Sequence, residues 1–129
     1  MQINILISGG LYSSQSAYSA LQFSRAAVAD GHAISQVFFY QDGVSNANQL
    51  STPLADEFDA VNEWVEFAAS HAIKLVACVS AAERRGILNL DQAKEFAEPS
   101  ANMHPQIQVA GLGALHQAAL DSERMVSFK

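Results

Sequence analysis

The chain has 129 residues, half of them hydrophobic, with 7 Lys and Arg against 13 Asp and Glu and a formal net charge of -6. That length implies one domain, over residues 1–129, that buries enough apolar surface to fold without disulfides or a structural metal, and the hydrophobic fraction excludes a disordered chain. The acidic balance argues against nucleic acid as a direct partner, because phosphate binding needs clustered cations.

Ile3-Asn4-Ile5-Leu6-Ile7 is short, apolar and β-branched, as in a buried strand, and Ser8-Gly9-Gly10 breaks it. From Ser13 to Ala29 apolar residues recur at helical spacing, with Ser13 or Ser14 as N-cap and Asp30-Gly31 as the stop. A second strand runs from Ile34 to Tyr40. The polar stretch from Gln41 to Pro53 reads as a long loop. A second helix is expected from about Ala55 to His71, with Phe58, Val61, Trp64, Val65 and Ala68 as its buried stripe and Asp56, Glu57 and Asp59 in its first turn. Ile73 to Val79 is a third strand. Ala81 to Arg85 begins a short helix that Gly86 stops, and Asp91 to Phe96 makes another. After a loop from Pro99 to Pro105 come a strand at Ile107 to Val109, a helix from Leu112 to Leu120, and a closing strand from Arg124 to Phe128.

Strands alternating with helices define an α/β class: a three-layer α/β/α domain around a mainly parallel sheet of about five strands. The opening residues lack the pattern of a signal peptide. No apolar run approaches the about 18 residues of a membrane span. The single cysteine fits a reducing compartment, and the expected location is cytoplasmic.

In an open parallel sheet, ligands gather beyond the carboxyl ends of the strands. The loops there are Ser8 to Ser14, Gln41 to Asn48, and Cys78 to Arg85. Cys78 lies at the carboxyl end of the third strand, one or two residues before a helix start, where backbone N–H groups stabilise an anion and Arg84 and Arg85 add positive charge. Both favour the thiolate, the species that attacks a sulfur–sulfur bond. On pattern alone, the run Leu75-Val76-Ala77-Cys78-Val79 is more often that of an inert core cysteine, since free Cys is among the most buried residue types.

Ser8-Gly9-Gly10 and Gly111-Leu112-Gly113 lack the spacing of phosphate-binding motifs and read as tight turns. His32, His71, His104 and His116 are not spaced as metal ligands or as a catalytic pair. Asp56, Glu57 and Asp59 suit a solvated helix start better than a divalent-cation cluster with Asp42. Phe38, Phe39, Tyr40 and Trp64 suit a core better than a stacking platform. No cofactor and no metal is expected.

Val37-Phe38-Phe39-Tyr40-Gln41-Asp42-Gly43-Val44, continuing through Asn46-Ala47-Asn48-Gln49-Leu50 to Pro53 and Asp56-Glu57, resembles the second-strand signature of the DsrE/TusD sulfur-relay family. Cys78-Val79-Ser80-Ala81-Ala82-Glu83-Arg84-Arg85-Gly86 resembles its cysteine loop, and Ala110-Gly111-Leu112-Gly113-Ala114-Leu115 its C-terminal segment. The likeness runs through essentially the whole chain.

This resemblance implies a DsrE-like fold and a sulfurtransferase subunit that accepts sulfur as a persulfide on Cys78. It implies a heterohexamer with two homologous small subunits (TusB/TusC-like or DsrH/DsrF-like), a TusA-like donor and a TusE/DsrC-like acceptor, with no direct nucleic-acid or membrane contact. The end product in one branch is 2-thiouridine at the tRNA wobble position; in the other the subunit serves dissimilatory sulfur oxidation. Some members lack the cysteine and serve as scaffolds, and Cys78 places this chain with the active ones. Ser80 stands where the family has a small Ala, which leaves the mechanism intact. A small-ligand module using the Gly9-Gly10 turn, with Cys78 inert, is the reading from a different class.

Overall fold

The apolar runs form the strands of one sheet in a computed structural model that describes residues 1–129. They are β1 (Gln2–Ile7), β2 (Ala33–Phe39), β3 (Lys74–Cys78), β4 (Gln108–Ala110) and β5 (Arg124–Phe128). The order is β4-β3-β2-β1-β5, and every pairing is parallel. Parallel neighbours need crossovers. These are α1 (Ser16–Ala29), α2 (Ala60–His71), the short α3 (Val79–Arg84) and α4 (Leu90–Glu95), and α5 (Leu112–Asp121).

Side chains alternate across a strand, so register sorts them by face. Ile5, Val37 and Leu75 lie in one row and Ile7, Phe39 and Ala77 in another, on the face covered by α1 and α2. There the Trp64 ring of α2 meets Phe39 edge-on at 6.2 Å, and Phe23 of α1 meets Phe128 at 5.7 Å. The other face carries Asn4, Gln36, Phe38, Val76 and Cys78 and is covered by α5. Helix α5 has no fully buried residue, whereas Trp64 of α2 and Phe38 of β2 have no exposure at all, so the core centres on the central strands and α2.

The structure revises several local expectations. Neither Ser13 nor Ser14 caps α1. Gln15 is the N-cap residue and makes no side-chain cap bond, while Ser14 Oγ bonds Ser16 Oγ at 2.8 Å. The chain turns tightly before the helix, with Tyr12 at φ 64. Helix α2 begins at Ala60 rather than near Ala55, because the Asp59 carboxylate accepts from the Asn62 amide. Asp56 and Glu57 therefore precede the helix, and Glu57 Oε1 instead accepts from Leu54 N at 2.7 Å. Phe67, outside the expected stripe, is buried, while Phe58 and Val65 are only partly so.

The polar stretch after β2 is not a simple loop. Residues Gln41–Ala47 form a 3-10 helix whose Gly43, Val44, Asn46 and Ala47 are buried. Gly43 permits this, since a Cβ there would run into the Ile7 carbonyl. Helix α2 ends at Ala72 in the left-handed region, φ 53 and ψ 42, a conformation more often given to glycine.

Candidate functional site

The loops singled out by the parallel-sheet rule meet at the carboxyl end of the sheet. Leu11 N donates to Ser45 Oγ at 2.7 Å, joining the turn after β1 to the 3-10 segment. Asp42 of that segment accepts from Arg85, just past α3: Nε and Nη2 each lie 3.0 Å from Oδ1. The 3-10 segment also packs on β3 and α3.

Cys78 stands at this junction. It is the last residue of β3 and the N-cap position of α3, with extended φ -61 and ψ 122. The strand ends there because Val79 turns into the helix, whose far end is fixed by Gly86 at φ 71. Cys78 is closed to solvent: it is 2 % exposed and part of the main core cluster. Its register partner Ala110 lies beside it on β4, and the preceding residue Ala77 pairs with Phe39 of β2. Access therefore requires the cover to move. The thiol has one side-chain partner, Ser80 Oγ at 3.7 Å, and Ser80 is exposed.

Neither of the expected cations bonds the thiol. Arg85 directs its guanidinium to Asp42 and donates through Nη1 to the Ala81 carbonyl at 3.0 Å, so a carboxylate offsets its charge. Arg84, in the last turn of α3, is exposed and carries no ion pair. The Arg85–Asp42 link spans 43 positions and has no local sequence signal; the Ser80 contact does have one, a hydroxyl two residues into a helix opened by the cysteine.

The remaining candidates scatter. His32 Nδ1 lies 3.0 Å from the Met1 amino group, and His71 packs on Phe67 with ring centres 4.8 Å apart. His116 is on exposed α5. His104 Nδ1 accepts from Gln106 N at 3.1 Å, and burial pushes its pKa below the usual histidine value. No three His, Cys, Asp or Glu side chains gather as a metal site would require. Gly111 opens α5 as its N-cap residue.

None of the surface cavities is lined by Cys78. The one beside the Gly9-Gly10 turn measures about 230 Å³ and includes Tyr12, Tyr18, Glu57 and Phe58. Tyr12 OH donates to the Phe58 carbonyl at 2.6 Å. Burial raises the pKa of this phenol, a backbone hydrogen bond at Ala60 lowers it by less, and the carboxylates of Asp59, Glu57 and Glu63 each add a smaller rise. A carboxylate on the wall opposes a phosphate ligand, which weighs against the nucleotide-module reading.

The fold and site together define a parallel three-layer α/β/α domain with one thiol sealed at a strand end and no small-molecule pocket at that cysteine. A DsrE/DsrF-like family model matches residues 1–128, and the chain belongs to that family. It is 48% identical over 124 residues to the sulfurtransferase TusD of Serratia proteamaculans (strain 568), covering 96% of each chain. It is 44% identical over 128 residues to the sulfurtransferase TusD of Cronobacter sakazakii (strain ATCC BAA-894), covering 99% of this chain and all of that one. The crystal structure of the ychN protein from E. coli superposes with a TM-score of 0.76 over 99% of this chain and 100% of that one, at 18% identity, and shares the fold. The expected activity class, sulfurtransferase, is the one the full-length relatives carry. No helix is long and apolar enough to cross a membrane.

Proposed function

We propose that this chain, as a single DsrE-like sulfur-carrier domain, accepts sulfur as a persulfide on Cys78 and passes it to the next protein of a cytoplasmic relay. The observation that carries the reading is likeness to TusD sulfurtransferases over essentially the whole chain, in a protein whose only thiol ends a strand at the carboxyl edge of the sheet. The Cys78 thiolate attacks the outer sulfur of a donor persulfide, R–S–SH. A new S–S bond forms at Cys78, the donor's S–S bond breaks, and the donor leaves as R–S⁻, with no net redox change. The acceptor's thiolate then removes the same sulfur and regenerates Cys78.

The relay is the one that ends in 2-thiouridine at the tRNA wobble position, with a TusA-like donor and a TusE-like acceptor. The subunit works within a heterohexamer beside two homologous small subunits and does not touch tRNA itself. Exposed Leu50, Leu54 and Leu90, each about two-thirds or more accessible (66%, 70% and 69%), offer apolar surface for that assembly. The net charge of -6 speaks against direct RNA contact.

The test is complementation in a bacterium whose own TusD has been removed. The wild-type chain, supplied with its homologous partners, restores 2-thiouridine in tRNA, and Cys78→Ala does not. Restoration by Cys78→Ala would remove the persulfide assignment. If wild type restores nothing but transfers sulfur to a DsrC-like protein, the chain serves sulfur oxidation instead.

A further inference from the structure

We infer that Ser80 is a positioning residue for sulfur transfer: its hydroxyl donates to the Cys78 thiolate and holds the sulfur in place beneath the surface. This rests on the persulfide reading above and names a residue that the reading does not require.

Ser80 Oγ is the only side-chain partner of Cys78 Sγ, at 3.7 Å, within the range of a hydrogen bond to sulfur. The two residues differ sharply in access. Cys78 is 2 % exposed, while Ser80, on the first turn of α3, faces solvent. The hydroxyl thus bridges a sealed sulfur and the surface. No other side chain competes for Ser80, whose hydroxyl makes no bond to the α3 backbone.

The cations in this segment do not take its place. Arg85 is committed to Asp42 and the Ala81 carbonyl. A neutral donor is well suited to a sulfur that changes state. A hydroxyl can rotate to donate to the thiolate before uptake and accept from the terminal S–H afterwards. The balanced step is unchanged: Cys78–S⁻ plus R–S–SH gives Cys78–S–SH plus R–S⁻. Ser80 neither gains nor loses a proton overall. It favours the charged reactant, because a hydrogen bond to an ionised group is stronger than one to its neutral form.

The test compares wild type, Ser80→Ala and Ser80→Thr in two assays, with Cys78→Ala as the blank. The first follows iodoacetamide alkylation of Cys78 against pH in the folded chain. Ser80→Ala is expected to react about three- to tenfold more slowly near neutral pH, with its pH profile displaced to the alkaline side and its high-pH plateau kept. Ser80→Thr, which retains the hydroxyl, restores the wild-type profile. The second measures sulfane loading from a persulfide donor, where Ser80→Ala shows a similar deficit. Superimposable alkylation profiles for wild type and Ser80→Ala would overturn the assignment. A uniform rate change at every pH would also overturn it, since that reports altered access alone. If Cys78→Ala still loads sulfur, the persulfide reading fails, and the alkylation profile still decides whether Ser80 holds the thiolate.

Discussion

Arg85 grips a single oxygen of Asp42, with Nε and Nη2 both 3.0 Å from Oδ1, and so ties the end of α3 to the 3-10 segment after β2. Both tied elements adjoin β3, whose last residue is the buried Cys78. The pair is partly solvated, Arg85 37% and Asp42 73% exposed, so its worth to global stability is small, about 0–1 kcal/mol. Its local effect is larger, because access to Cys78 requires movement of what surrounds it. Asp42→Asn is expected to lower the denaturation free energy by less than about 1 kcal/mol yet speed alkylation of Cys78 severalfold. High salt should speed the wild type in the same direction. Equal alkylation rates in variant and wild type would show that the tie does not gate the thiol.

Ala72 closes α2 with φ 53, and its N–H donates to the Ala68 carbonyl. An L-residue in this region costs about 1–2 kcal/mol relative to its preferred conformations, and glycine does not bear that cost. Ala72→Gly should therefore raise stability by about 0.5–1 kcal/mol, after the greater entropy of glycine in the unfolded chain is counted. Urea denaturation would measure it, and a loss of stability would contradict the left-handed assignment.

His104 makes the molecule sensitive to mild acid. Its main-chain N–H donates to the Ala47 carbonyl at 2.8 Å, while its ring Nδ1 must stay unprotonated to accept from Gln106 N. Burial lowers the folded-state pKa. The unfolded chain, titrating near the ordinary value of about 6.5, then takes up a proton more readily than the folded one. Stability from this group is complete above that value and lost as pH falls through the folded pKa. His104→Gln should flatten the decline in thermal midpoint between about pH 7 and pH 5. A slope identical to wild type would remove His104 from the explanation.

The sheet was legible because its signals are local. The runs Ile3–Ile7 and Val37–Phe39 alternate or repeat apolar residues bounded by turn formers, and the structure places them in adjacent parallel strands. The position of Cys78 followed from the same logic, since an apolar run ending just before a helix places its last residue at a carboxyl edge. Most of what escaped depended on partners distant in sequence. Val44 and Ala47 look unremarkable within Gln41 to Pro53, and only the close approach of Gly43 to Ile7 carries them into the core. The start of α2 was misjudged because Asp56, Glu57 and Asp59 are interchangeable as acids near a helix dipole. Only Asp59 has the geometry to accept from the Asn62 amide. Arg85 looked like a cation for the thiol until its partner Asp42, far back in the chain, was in place.

The most direct measurement follows labelled sulfur. Wild type and Cys78→Ala, each co-expressed with the proposed homologous subunits, are loaded from a persulfide donor carrying isotopically marked outer sulfur, and intact-protein mass spectrometry reads the chain and the acceptor at successive times. The alanine variant should fold as wild type does, since a small apolar side chain replaces a small buried one. Wild type is expected to gain the mass of one sulfur at Cys78 and then lose it as the acceptor gains the label, whereas Cys78→Ala gains nothing and leaves the acceptor unlabelled. Label reaching the acceptor at the wild-type rate through Cys78→Ala would contradict the persulfide assignment and leave Cys78 as a packing residue of the core.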